Sequence, residues 1–281
     1  MIRLSISCHP DQAEFVLAEL VGIAPTGVEE RTGDGRIEYA IYGAPGELPE
    51  IGEIEAVCAE GVVEVRASEV PSDWDSRWRD FHQPVIVPSG SGQEGVWVGA
   101  PWHDRPADPG AAVVIDPGRA FGTGSHPTTR LCLGLMLDLH EGGLARGGLS
   151  DIGTGSGILA IVGSLLGWDP VSGSDHEVAS VEAATANARA NLATVDFTRH
   201  DLRDGFDSLE PTLTANLTAP LLATLSAGLP EGNLPLRIVC SGLLEEETGR
   251  VVGAFSGAGY RLAQKRSLEG WSGLLLELER D

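Results

Sequence analysis

Along the first seventy residues the chain switches between the two-residue apolar repeat of a half-buried strand and the three-to-four-residue repeat of an amphipathic helix. IRLSIS (2–7) reads as a strand, and DQAEFVLAEL (11–20), with Phe15, Leu17, Leu20 and the following Val21 apolar, reads as a helix. TGVEER (26–31) and RIEYAIY (36–42) read as two more strands, PEIGEIEAVCAE (49–60) as a second helix and VVEVRAS (62–68) as a last strand. Strand, helix, strand, strand, helix, strand is the order of a small ferredoxin-like α+β domain. That fold serves many functions and carries none by itself.

PSDWDSRWRDFHQP (71–84) breaks the repeat. Bounded by prolines and dense in charge, it reads as a connector with one helical turn, on which Trp74 and Trp78 share a face suited to packing. Strand-like PVIVP (84–88), GVWVGAPW (95–102) and AAVVIDPG (111–118) follow, then the loop AFGTGSHPTT (120–129). From residue 130 the pattern becomes apolar strand, turn and helix in repetition, which requires a parallel sheet covered on both faces. RLCLGLMLDL is helical, and ILAIVGSLLG carries the stripe Ile158, Ile161, Val162, Leu165 and Leu166. Five strands lie in this part, and YRLAQKRSL with WSGLLLELER around Glu269-Gly270 reads as a closing hairpin. The expected organisation is a ferredoxin-like domain over 1–70, a linker over 71–95 and a seven-stranded Rossmann-like α/β domain over 96–281.

Forty-one acidic against nineteen basic residues leave a net charge of -22. Such a field repels a phosphate backbone and attracts cationic partners, and it also keeps a protein in solution. Nucleic-acid recognition is therefore not expected. Lys265 is the one lysine, so GxxxxGK[ST] cannot occur and a phosphate-binding P-loop is excluded. Cys8, Cys58, Cys132 and Cys240 form no CxxC pair, which fits neither a disulfide framework nor a zinc site and suits a reducing cytosol. No stretch approaches the ~18 apolar residues of a membrane span, and the N-terminus has no apolar signal region. A cytoplasmic monomer without membrane or metal is expected.

DIGTGSG places Gly153, Gly155 and Gly157 between a strand and a helix, where the backbone must turn sharply and approach a ligand closely. Gly155, Gly157 and Ala160 meet the looser dinucleotide pattern, whereas Asp151 with the three glycines meets the pattern of a nucleoside-sulfonium site in full. Asp175, where the next strand should end, can accept both hydroxyls of an unphosphorylated ribose, and this serves NAD and S-adenosylmethionine equally. Asn216, at the end of the fourth strand, favours the second. Its amide can accept a hydrogen bond from an amine and aim the lone pair, without the added anion that would raise the amine's pKa. An asparagine capping a strand end or the next helix is the simpler structural alternative. Pro127 suits a first helical turn, and His126 is either a base or a structural residue at that turn.

IDPGRAFGTGSHPTTRLCL, DIGTGSGILAI, GSD and ANLTAPLLATL together resemble the bacterial ribosomal-protein methyltransferase family, PrmA, and DWDSRWRDFHQP resembles that family's inter-domain signature. The resemblance covers roughly residues 70–281. It implies an S-adenosylmethionine-dependent enzyme that methylates amino groups, of lysine side chains and of the N-terminus, on a basic large-subunit ribosomal protein, with the first domain recognising that substrate. It implies further that Thr129, Asp151, Gly153, Gly155, Asp175 and Asn216 hold the cofactor, that Asn216 faces the amine, and that Phe121 with Gly122 and Gly124 covers the methionine end. Leu217-Thr218-Ala219 stands where enzymes acting on bases place Pro-Pro-aromatic, a departure that disfavours nucleic acid. An NAD-dependent oxidoreductase and a non-catalytic ribosome-associated module are the alternatives.

Overall fold

The computed structural model describes residues 2–13, 16–17, 20, 29–33, 35–43, 48–49, 51–52, 54, 58, 63–69, 83–92, 95–106, 111–116, 124–230 and 232–279. Contacts divide the chain into two units, Met1–Asp80 and Phe81–Asp281. In the first, β1 (Ile2–Cys8), β2 (Glu29–Gly33), β3 (Arg36–Gly43) and β4 (Glu64–Glu69) form one sheet in the order β2-β3-β1-β4, antiparallel at every pairing. This is the ferredoxin-like order that the sequence predicts. Leu4, Ile6 and Cys8 follow the two-residue repeat into a core shared with Val16, Leu20, Ile41 and Ile54. Tyr39 is buried there, and its hydroxyl donates to the Ala13 carbonyl at 3.1 Å, which satisfies the phenol. Residues 13, 16–17 and 20 are helical, as are 51–52 and 54, while Phe15, Val21, Trp74 and Trp78 lie outside the described residues.

The second unit begins with β5 (Val85–Pro88), β6 (Gly95–Gly99) and β7 (Ala111–Val114). They form a separate three-stranded sheet, β6 being antiparallel to β5 and parallel to β7. The sequence marks these stretches as strands but carries no sign that they form a sheet of their own. Then follow α1 (Pro127–Glu141), β8 (Leu149–Ile152), α2 (Ile158–Leu166), β9 (Val171–Asp175), α3 (Val178–Ala190), β10 (Asp196–Arg199) and β11 (Thr212–Asn216). The chain continues through α4 (Ala219–Ala227), β12 (Arg237–Leu244), α5 (Thr248–Gly257), β13 (Tyr260–Leu268) and β14 (Trp271–Leu278).

β8 to β14 form the seven-stranded sheet, ordered β10-β9-β8-β11-β12-β14-β13. The first five strands in that order are mutually parallel, and β14 runs antiparallel to both β12 and β13. Glu269 and Gly270 both have positive φ, 51° and 81°, as a two-residue hairpin turn with the twist of its strands requires. Side chains alternate along β12. Val239 joins a core with α1, α2 and the three-stranded sheet, whereas Ile238 and Cys240 join a second core with α4 and α5. The central strands are thus apolar on both faces, as a sheet covered twice must be. Among the described residues no helix is long and apolar enough to cross a membrane.

A polar clamp fixes α1 against both ends of this unit. Asp138 accepts hydrogen bonds from the Gly90 backbone N–H (2.6 Å), Gln264 Nε2 (2.8 Å) and Arg266 Nη2 (2.7 and 2.6 Å). The Asp138 and Arg266 side chains retain only 17% and 21% of their exposure, so the pair is screened less than a surface ion pair. Asp138→Ala leaves the guanidinium and the amide without their acceptor and is expected to cost about 2 kcal/mol in urea unfolding. A loss under about 0.5 kcal/mol would show that the pair behaves as an exposed one.

Candidate active site

The residues predicted to carry chemistry meet along the crest of the parallel strands. In register, Ile152 of β8 pairs with Ser174 of β9 on one side and with Ala215 of β11 on the other. The next residue of each strand therefore falls in one row, Asp175, Gly153, Asn216, and Asn216 pairs onward with Ser241 of β12. With neighbouring strands about 4.8 Å apart, Asp175 and Asn216 stand roughly 10 Å from each other with the glycine turn between them. In open α/β sheets this crest is where ligands bind.

Asp151 lies directly beneath. It is 1% exposed, and its Oδ2 accepts from the Thr154 hydroxyl of the turn (2.6 Å) while Oδ1 accepts from the Thr214 hydroxyl of β11 (2.7 Å). The carboxylate thus ties the turn to the strand that ends in Asn216. Burial pushes its pKa up to about 6, against the opposing pull of the two hydroxyls. The turn itself is anchored to β9, because the N–H groups of Gly153 and Thr154 both donate to the Ser174 carbonyl at 2.9 Å.

Asp175 is 8% exposed and accepts the Gly155 N–H on Oδ2 (3.0 Å) and the Glu177 N–H on Oδ1 (3.0 Å). A carboxylate has about four acceptor sites, so capacity remains for two hydroxyl donors. Glycines at 153, 155 and 157 all have positive φ, and Gly157 caps α2 in the left-handed conformation. The turn therefore has the backbone that the sequence predicts for it.

Asn216 Nδ2 donates to the Thr129 hydroxyl at 3.3 Å, across eighty-seven positions of sequence. With Nδ2 engaged in this way, Oδ1 is the end of the amide that can accept from a ligand. Thr129 is fully buried near the start of α1, which begins at Pro127 as expected. His126 is the N-cap of that helix: its Nδ1 lies 2.8 Å from the Thr128 hydroxyl and accepts the Thr128 N–H, and its ring packs edge-on against Trp271. Burial lowers its pKa, with Glu269 opposing, in keeping with an acceptor nitrogen at a cap. Thr129, Asp151, Gly153, Gly155, Asp175 and Asn216 are thus assembled in one place, and Phe121 lies outside the described residues.

Sequence reasoning missed Gly242. This residue of β12 has φ +91°, and a Cβ on it would approach the Leu217 carbonyl carbon to 2.7 Å and its nitrogen to 2.9 Å. A Cβ on Gly153, φ +70°, would run into the Leu217 side chain from the other side. The chain just past Asn216 therefore passes through a slot between two glycines, and that slot sets where the amide stands. A glycine inside an otherwise apolar strand is the available signal, since it marks a close backbone approach.

Asp151 also determines how stability depends on pH. Its folded pKa is about 6, above the ordinary 3.8, so its contribution is fully present below about pH 4 and is lost as pH rises through 6. Asp151→Asn removes that titration. The melting temperature of the variant relative to the parent should climb between about pH 4 and pH 7, by the equivalent of about 3 kcal/mol. A difference that stays flat across this window would show that the carboxylate is not held in a dry site.

The family description "Ribosomal protein L11 methyltransferase (PrmA)" matches residues 50–279. The chain is 35% identical over 291 residues to the ribosomal protein L11 methyltransferase of Cupriavidus pinatubonensis, with 95% of each chain covered. To the protein of that name in Dictyoglomus turgidum it is 30% identical over 222 residues, covering 78% of this chain and 71% of the other. Among solved structures, the ribosomal protein L11 methylase from Lactobacillus delbrueckii subsp. bulgaricus is similar with a TM-score of 0.56 and 26% identity, over 66% of this chain and 95% of that one. With the match running from the first unit to the last strand, the chain belongs to the ribosomal protein L11 methyltransferase family.

Proposed function

We propose that this protein transfers methyl groups from S-adenosylmethionine to amino groups of the large-subunit ribosomal protein L11, on lysine side chains and at the N-terminal amine. The observation that carries this reading is the amide of Asn216, held by Thr129 in the same row as the glycine turn and Asp175. Family membership supports it and disfavours the oxidoreductase alternative.

S-adenosylmethionine, when bound, supplies a methyl group on a sulfonium, open to in-line displacement. The residues present fit that molecule. Asp175 offers unused acceptor sites to the ribose hydroxyls, and its charge would repel a 2′-phosphate. The positive-φ glycines let backbone approach the ligand without Cβ interference. Asn216 Oδ1 accepts an N–H of the incoming amine and directs the nitrogen lone pair, while Nδ2 is engaged by the Thr129 hydroxyl. Because the amide is neutral, it does not stabilise the protonated, unreactive form of the amine. Asp151 works from below, holding the turn and β11 together. Positioning of this kind, more than a strong base, is what the displacement requires.

In this reading residues 1–70 recognise the substrate, 71–95 lead from that domain into the next and include β5 of its three-stranded sheet, and 96–281 carry the reaction. The acidic surface draws a basic ribosomal protein and disfavours nucleic acid, in a cytoplasmic enzyme that acts as a monomer. Incubation with ribosomal protein L11 and S-adenosylmethionine should raise the intact mass of the substrate in steps of one methyl group, with peptide mapping locating the amines. Asn216→Asp should lower turnover about tenfold or more, since raising the amine's pKa by about one unit removes nine-tenths of its reactive form. No mass gain would defeat the function, and an Asn216→Asp variant as fast as the parent would remove Asn216 from the reaction.

A further inference from the structure

Asn187 of α3 and Asn191, the residue that caps the helix one turn later, face the outer edge of β7, an edge strand of the three-stranded sheet. An edge strand presents backbone groups with no partner strand. Here two side-chain amides take the place of that strand. Asn191 Oδ1 accepts the Val114 N–H at 2.8 Å, and its Nδ2 donates to the Val114 carbonyl at 2.7 Å. Asn187 Oδ1 accepts the Asp116 N–H at 3.1 Å, two residues further along.

The two asparagines differ in what the rest of the amide does. Asn191 turns back onto its own helix, its Nδ2 also donating to the Asn187 carbonyl at 2.8 Å. Asn187 is 4% exposed, and its Nδ2 donates at 2.9 Å to the carbonyl of Ser156, inside the glycine turn. One buried amide thus spans the end of β7 and the turn, two segments about forty positions apart in sequence. The turn is held from three sides. Asp151 grips Thr154, Asp175 grips Gly155, and Asn187 grips Ser156. Among the three, only Asn187 joins the turn to a different sheet. An amide is needed at this position, because it carries a donor and an acceptor on one planar group, whereas aspartate would set an anion against the Ser156 carbonyl.

We propose that Asn187 is a positioning residue for the cofactor: it locks the glycine turn to the end of β7, so that the turn is held in its binding shape by the three-stranded sheet as well as by the crest. The inference rests on the placement of S-adenosylmethionine at that turn. Affinity for S-adenosylmethionine is measured by calorimetry for the full chain and for Asn187→Ala, Asn191→Ala and Asp175→Ala. Asn187→Ala should weaken binding about tenfold, the loss expected when both hydrogen bonds of a buried amide are removed. Asn191→Ala, whose lost contacts fall on Val114 and its own helix, should stay within about twofold, although both variants lose melting temperature.

Equal affinities for the two asparagine variants would overturn the proposal, as would Asn187→Asp binding as tightly as the parent. If Asp175→Ala also left the affinity unchanged, the placement at the turn would be what failed. Should the Asn187 variants not fold, hydrogen exchange on the parent chain decides. S-adenosylmethionine should slow exchange in residues 111–116 together with 153–157, and unchanged exchange in 111–116 would overturn the coupling.

Discussion

Just beneath the crest of the seven-stranded sheet, the Asp151 carboxylate, with almost no access to water, receives a hydroxyl from each side, Thr154 of the turn and Thr214 of the neighbouring strand. An isolated charge in such a place is costly, and only hydrogen bonds to it make the burial tolerable. The strictness of that requirement is what gives the site its shape. Withdrawal of either threonine removes a hydrogen bond from a buried carboxylate, so the turn and β11 are held to one relative position. Asn216 inherits its place from β11, and Gly155 carries that order to Asp175 through its N–H. The chemistry at the crest thus depends on an interaction made one layer below it.

The elements legible in the sequence are those whose signals are local. The two-residue repeat in β1, the Glu269-Gly270 turn, the start of α1 at Pro127 and the glycine turn after β8 all rest on short stretches whose backbone preferences agree with the fold. The placement of the candidate residues Asp175, Gly153 and Asn216 was legible for a related reason: strand ends in a parallel sheet lie in one row, so finding the ends finds the row. What could not be read was the pairing of distant residues. Thr129 meets Asn216, Asn187 meets Asp116 seventy-one positions away, and Arg266 meets Asp138 over a still longer span. Each of these residues is chemically ordinary in its own stretch, and its meaning comes from a partner that only folding supplies. The three-stranded sheet was hidden likewise, since alternation marks a strand without naming its neighbour.

Gly153 and Gly242 illustrate how absence of a side chain can be specific. Both have positive φ and both stand against Leu217, one against its side chain and the other against its backbone. The first was legible as part of a dense glycine motif, the second was not, because one glycine in an apolar strand gives little pattern to read. Their effect is joint. They let the chain past Asn216 lie closer to β8 and β12 than a residue with a Cβ would permit, and the neutral amide is thereby set deep in the row instead of standing above it.

The place of β14 has a consequence for biosynthesis. It is made after β12 and β13, yet it lies between them. While the ribosome is still adding those residues, β12 has an open hydrogen-bonding edge and the apolar layer that Leu274 and Leu276 will complete is uncovered. β13 is meanwhile joined to β12 through α5, with no strand yet between them. Closure of this sheet is thus an insertion, the last-made strand entering between two strands that precede it in the chain.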